Sequence, residues 1–345
     1  MNSSFVQILV TQNEFVTLMG LFTCVDMVLS LMGIVTNAVN TKTFLAMGAD
    51  DGVTVSFLYL SASELMCCLA ALGQKISMAF WVTELATDYE TWFFINPYVV
   101  NAFFGNIRAC LFEIPILTTT YLSLAKCMCV VKPLSFKSMF SVSRTQRIMA
   151  GVCVFSVLTY VPIFATMGTT VEFDLKVNRT RHMIWFAPGR DLVKAVISTT
   201  RDTISAIGSE VIVSICLMIV TKALHRSVRL RAQLKNGTFS GKINQRKSSL
   251  DCDDKISHKL SGKELQIIKQ VALISVIFIA GNTPKIIVFL GVAFVPDLSP
   301  LGRYRNLYDV IIKSRELSEL MTSVVNIFIY YKFNSKFRQC CRALF

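Results

Sequence analysis

Residues 108–134 read RACLFEIPILTTTYLSLAKCMCVVKPL. From Ala109 to Val131 nearly every residue is apolar or small. A helix needs about 20 such residues to cross a bilayer, so this stretch is long enough to span one. Arg108 stands before the run, Glu113 lies near its start and Lys126 near its end. A charge inside a membrane is costly, so each is expected to pair, to face water or to reach the interface.

Other segments of the chain read the same way. Of its 345 residues, 53% are hydrophobic and 17% charged, and the mean hydropathy is +0.54. A soluble domain carries about 25% charged residues. Several apolar runs of spanning length exclude a single anchor. The N-terminus, MNSSFVQILVTQNEF, has no basic region and no small-residue cleavage site, so the first helix is expected to act as the insertion signal. The net charge is +13. With the N-terminus placed outside, 22 of the 35 Lys and Arg fall on the inner side, twelve of them between Lys222 and Lys269. This positive-inside bias sets the expected orientation. The basic charge follows topology and has no aromatic platform around it, so nucleic acid is not an expected partner; the lipid bilayer is. None of the eleven cysteines falls in an expected outer loop, so they form no extracellular framework. The three histidines, His182, His225 and His258, are scattered, and no hydrolytic, phosphate-cradling or metal motif appears. An enzyme is not expected, nor a cofactor.

Helices are expected over Val16–Phe44, Val53–Met78, Val99–Val131, Arg147–Met167, Thr199–Arg226, from Lys263 onward, and Tyr308–Tyr331. The alternation Val171, Phe173, Leu175, Val177, then Met183 and Trp185, suggests a β-hairpin turning near Asn178. Residues 81–97 read as an acidic, aromatic outer loop. Residues 227–262 are basic and polar, and are expected to lack regular structure. Residues 333–342 read as an amphipathic helix, with Phe333 and Phe337 dipping into lipid and Lys336 and Arg338 facing headgroups. The fold class is then an all-α membrane protein of one domain. It has seven transmembrane helices, a hairpin in the second outer loop and a short C-terminal amphipathic helix.

The end of the opening stretch, LSLAKCMCVVKPL, resembles the end of the third helix of rhodopsin-like G-protein-coupled receptors. There an acid, an arginine and an aromatic precede a short apolar run, a basic residue, Pro and Leu. Here the triplet is Ala125, Lys126, Cys127, and the frame closes at Lys132, Pro133, Leu134. Further signals follow in the family's order: Asn37 in GIVTNAVN, Glu64 where the family has Asp, Glu264 twenty residues before Pro284, Asn326 with Tyr330 in NIFIYY, and Phe337-Arg338. Asn282 stands in the Gly-Asn-Thr-Pro that replaces the family's Cys-Trp-x-Pro. The family's loop-to-helix-three disulfide has no counterpart, since Asn101 occupies the matching position and the loop has no cysteine. In overall likeness the chain is also similar to the expanded chemosensory-type receptors of molluscs.

The resemblance implies an extracellular ligand, a heterotrimeric G protein as partner, and a plasma-membrane location with the C-terminus in the cytoplasm. It places a ligand pocket among Arg108, Phe112, Glu113, Lys285 and Glu316, suited to an amino acid, a small acid or a short peptide. The alternative for Arg108 and Glu316 is a bridge that holds two helices together. Lys126, Glu264, Asn326 and Tyr330 become coupling residues; for Lys126 the alternative is a side chain reaching to the interface. Pro284 becomes a hinge. Asn37, Glu64 and Asn282 form a polar core, and for Asn37 ordinary helix packing remains open. An acid near mid-membrane costs ~2.5–3.5 kcal/mol, so Glu64 is expected to face inward, either functional or a neutral, hydrogen-bonded acid. Cys340 and Cys341 sit in a palmitoylation context, or remain free thiols. A neuropeptide receptor of the same family, a transporter and a non-signalling seven-helix scaffold are the competing functions.

This topology is testable by glycosylation. Asn2 and Asn178 begin outer sequons and Asn236 an inner one. Asn2→Gln and Asn178→Gln are expected to remove any glycosidase-sensitive mass, and Asn236→Gln to leave it. The reverse pattern inverts the orientation.

Overall fold

In the computed structural model, residues 11–131, 140–235, 262–295, 297–298 and 302–345 are described. Asn2, Lys132 to Leu134 and Asn236 lie outside them. The side chain of Glu264 lies outside them too.

Several helices begin where the sequence supplies a cap. Helix α1 (Gln12–Met47) starts at Thr11, whose side chain and that of Glu14 satisfy each other's backbone N–H. It ends at Gly48, which takes φ +81°, a left-handed conformation costly for any residue with a Cβ. Helix α2 (Gly52–Ala86) starts at Asp51, which accepts from the N–H groups of Val53 and Thr54, both at 2.9 Å. It runs past Trp81 and Glu84, so the start of the expected outer loop is helical. Helix α3 (Pro97–Val131) opens on a proline, whose missing N–H costs nothing there. Helix α4 is Val142–Ala165. Two strands, β1 (Met167–Asp174) and β2 (Arg179–Phe186), pair antiparallel from Met167↔Phe186 to Asp174↔Arg179. Asn178, exposed, takes φ +57° in the turn between them.

Helix α5 differs most from expectation. It starts at Arg190, nine residues early, and passes through Arg190–Ile197, a π-helical Ser198–Ser205, and Ala206–Lys235. Ser227 to Lys235 are thus helical; the rest of the expected inner loop, to Ser261, is not described. The π-helical stretch re-aims the side chains it carries. Helix α6 (Gly262–Phe294) is continuous through Pro284. Helix α7 is Arg305–Phe333, and α8 is Ser335–Leu344, capped by Asn334.

Six helices are long and apolar enough to cross a membrane: α1 to α6. The chain is a helical membrane protein. Over their apolar windows α2 and α3 are 61% and 56% buried and α4 is 17% buried, so α2 and α3 are central and α4 turns outward. Helix α1 packs on α2 and α7, α3 touches α2, α4, α5 and α6, and α6 packs on α7. In lipid such helices associate through close packing and hydrogen bonds, because lipid tails are as apolar as the side chains.

At one end, Phe44, Phe57, Tyr330 and Phe337 form an aromatic cluster with ring centroids 4.9–5.6 Å apart. Phe337 is fully buried there, which corrects the expectation that it dips into lipid. It pins α8 to α1 and α7. Cys340 and Cys341 are half-buried against the same cluster.

The ten cysteines in the described residues are free, so no disulfide holds the hairpin. Charge holds it instead. Arg181 is buried between Asp174 and Glu84: Nε donates to Asp174 Oδ2 at 2.8 Å and Nη1 to Glu84 Oε1 at 2.6 Å. His182 N–H donates to the Phe94 carbonyl at 3.1 Å, and Asn96 N–H to the His182 carbonyl at 3.0 Å. Burial pushes the Asp174 carboxyl up, but the Lys176 N–H and the Arg181 guanidinium outweigh it and hold it below the usual carboxylate range.

A carboxylate with a lowered folded-state pKa stabilises above its unfolded value, about 3.9, and that stability is lost as pH falls through the folded value. Hydrogen exchange at the His182 and Asn96 amides is therefore expected to show constant protection from about pH 8 to 5, after correction for intrinsic rates, and to lose it only in more acid solution. Arg181→Ala strands Glu84 and Asp174, a loss of about 3–5 kcal/mol for a buried pair, and should abolish protection at neutral pH. Unchanged protection in Arg181→Ala would show that backbone pairing alone docks the hairpin.

Candidate functional site

Helix α7 carries polar residues at spacings of three and four: Lys313, Glu316, Glu319, Ser323, Asn326 and Tyr330. Such spacing makes one stripe along a helix, and all six residues are buried. Helix α3 presents Arg108, Phe112, Thr119, Ser123 and Lys126 at similar intervals.

The two stripes meet lone charges from α1 and α2. Lys75 Nζ, with no exposed surface, lies 2.6 Å from Asp26 Oδ2 and 2.5 Å from Glu316 Oε2. Lys313 Nζ donates to the same Glu316 oxygen at 2.8 Å. Arg108 Nη1 lies 3.2 Å from Glu316 Oε1, and Arg108 Nη2 pairs with Glu319. Three acids, Asp26, Glu316 and Glu319, thus meet three bases, Lys75, Arg108 and Lys313. Arg315, at the rim, approaches Glu319 at 3.4 Å.

Next to this layer is a cavity of about 50 Å³. Its lining runs from Arg108 to Thr119 on α3 and from Glu319 to Asn326 on α7, with Glu64, Cys67 and Cys68 from α2 and Ile274 to Asn282 from α6. At its far end Asn326 Nδ2 donates to Glu64 Oε1 at 2.7 Å. Glu64 faces inward, as its cost in lipid requires. Asn37 Nδ2 donates to Ser323 Oγ at 2.8 Å, joining α1 to α7. Gly281 lets α6 approach α7, for a Cβ there would collide with Thr322.

The expected pocket residues separate. Arg108 and Phe112 line the cavity, and so do Glu64, Asn282 and Asn326 from the polar core and coupling sets. Glu316 sits behind the wall, held by Lys75, Lys313 and Arg108. Glu113 turns toward α5, where it accepts from Ser205 and lies 3.7 Å from Arg201 in the π-helical stretch. Lys285 is buried with its Nζ 6.0 Å from the centre of the Phe112 ring, outside the lining. Lys126 is buried in a small cleft with Ser123, Cys216, Val220, Val271 and Ser275. Across that cleft the Ser123 and Ser275 hydroxyls hydrogen-bond at 2.9 Å, linking α3 to α6.

Asp26, Lys75, Arg201, Lys313 and Glu319 escaped the sequence reading. The signal was present for the first two: each is a single charge inside an apolar run, which marks an inward position. A scan against protein-family models and a search of curated proteins find no match to the chain, so the site rests on its own geometry.

Removing one partner of a buried ion pair strands the other, at a cost of about 3–5 kcal/mol. Lys75→Met should lower the unfolding temperature of purified protein sharply, and adding Asp26→Asn should recover part of the loss. The exchange Arg108→Glu with Glu316→Arg should not rescue surface expression, because it sets a cation beside Lys75 and Lys313. Full rescue by that exchange would mean that Arg108 and Glu316 act as an isolated bridge.

Proposed function

We propose that the chain is a rhodopsin-like seven-helix receptor, with α7 as the seventh span, in the plasma membrane with its N-terminus outside. It binds an extracellular chemosensory-type ligand in the cavity and promotes nucleotide exchange on a heterotrimeric G protein. The observation that carries this reading is the cavity itself, walled by α2, α3, α6 and α7 and lined by Glu64, Asn282 and Asn326 from the motifs that resemble the family's. The hairpin, held by Glu84 and Arg181, would then border the outer mouth, and the Lys126 cleft would lie at the inner ends of α3, α5 and α6.

In this reading a ligand acts by binding one arrangement of α6 better than another, since no ligand shifts an equilibrium by more than its differential affinity. Outward movement of α6 breaks the Ser123–Ser275 contact and opens the cleft around Lys126 to the G protein. Lys offers a point charge without the planar fork of Arg, so its contacts there are less selective in geometry. Palmitoylation at Cys340 or Cys341 would require the half-buried thiols to turn from the aromatic cluster. The six buried charges also fit a transporter, in which such residues line a path for protons or solute.

The two readings separate with purified protein in bilayers. A receptor accelerates nucleotide exchange on added G protein and moves no solute, and Lys126→Ala at matched expression loses that stimulation. Solute or proton flux without exchange favours the transporter; normal coupling in Lys126→Ala removes Lys126 from the coupling surface.

A further inference from the structure

The cavity wall has a one-sided polar demand. Arg108, the cation on that wall, is already matched by Glu316 and Glu319, so it has little left to offer an anion. Two lining residues retain a buried oxygen without a hydrogen-bond partner: Glu64 at Oε2 and Asn282 at Oδ1. The Asn282 oxygen is an acceptor, and the Glu64 oxygen becomes one when its carboxyl gives up its proton to ionise beside a bound cation. Among the described residues no lining side chain leaves a buried donor unmatched. Unsatisfied buried groups are rare in native proteins and call for a partner.

Charge points the same way. The acids of the ion layer are already taken: Asp26, Glu316 and Glu319 meet Lys75, Arg108, Lys313 and, at the rim, Arg315. Glu64 stands apart from it, its neighbour in the wall being the neutral amide of Asn326. The remainder of the lining is largely apolar, with Phe112, Ile116, Ile274, Phe278 and Leu320. A space of about 50 Å³ is several times the roughly 10–15 Å³ that one water needs.

We infer that the cavity takes an organic ammonium ligand, its N–H donors on Glu64 and Asn282 and its apolar body against Phe112 and Phe278. This rests on the receptor reading only for its biological consequence. As chemistry it replaces the amino acid or small acid that the sequence suggested with a cation bearing an apolar body.

The test uses the full chain in phosphatidylcholine nanodiscs. Three probes of matched length are compared by calorimetry and thermal unfolding: 3-phenylpropan-1-ammonium, 3-phenylpropan-1-ol and 3-phenylpropanoate. The ammonium is expected to bind and stabilise, the alcohol weakly and the carboxylate not at all. Glu64→Gln, which keeps an oxygen for Asn326, should weaken ammonium binding by roughly ten-fold or more, the worth of a hydrogen bond to a charged group. Asn282→Ala should weaken it less, and carries the test should Glu64→Gln fail to fold. The inference is overturned if the carboxylate or alcohol binds as well as the ammonium, or if no probe binds. It is also overturned if sodium chloride alone gives the whole effect, or if neither substitution changes affinity. Ammonium binding without G-protein exchange would sink the receptor reading and leave this one standing; exchange driven by an anion would do the opposite.

Discussion

A charge surrounded by hydrocarbon must be neutralised, and Lys75 is where that constraint is most severe. Its ammonium has no exposed surface and contacts carboxylates from α1 and α7. Each of those carboxylates would be as costly alone as the lysine would be. The arrangement therefore admits few alternatives: α1, α2 and α7 must meet at this depth and in this rotation. Arg108 adds α3 to the same knot. Packing of apolar side chains discriminates poorly among helix rotations in lipid; a balanced set of six charges discriminates strongly, because a small misrotation leaves one of them unpaired.

The knot also explains why α7 is the long helix that falls outside the apolar set. A helix with Lys313, Glu316, Glu319, Asn326 and Tyr330 on one stripe has too few apolar residues for a hydropathy test. That stripe does not face lipid. Lys313, Glu316, Glu319, Asn326 and Tyr330 are all buried within the bundle. Composition averaged around a helix conceals what its two faces do separately.

The spans were legible because twenty apolar residues leave little else for a chain to do. Inward positions such as Glu64 and Arg108 were legible because charge in lipid is expensive. Direction within the interior was not. Glu113 lies five residues after Arg108, yet it faces α5, because the π-helical stretch of α5 brings Arg201 and Ser205 to it. Phe337 reads as a lipid-facing residue of an amphipathic helix until Phe44, Phe57 and Tyr330 supply a ring-lined seat. The anchoring of the hairpin joins Glu84 to Arg181 across 97 positions, and no local pattern announces such a pair. These outcomes depend on which elements become neighbours, and that is a property of the assembled bundle.

The contacts at the two ends of the cavity differ in strength, and that asymmetry bears on how the bundle can move. Near Arg108, charge-assisted contacts tie α1, α2, α3 and α7 together. Such bonds are roughly twice as strong as neutral ones, and several share the same atoms. Near Lys126, the side-chain hydrogen bond across the α3–α6 contact joins the hydroxyls of Ser123 and Ser275. A neutral bond of this kind contributes about 0.5–1.5 kcal/mol. None of the residues named in the ion layer comes from α6, which walls the cavity from Ile274 to Asn282. A ligand pressing on that wall would meet a rigid face formed by α3 and α7 and a compliant one formed by α6. Displacement should then concentrate in α6 and grow toward its Ser275 end, away from the ion layer. The ion layer would serve as the fixed end of a lever, and its stability would set how little of the ligand's binding energy is lost in deforming the remainder of the bundle.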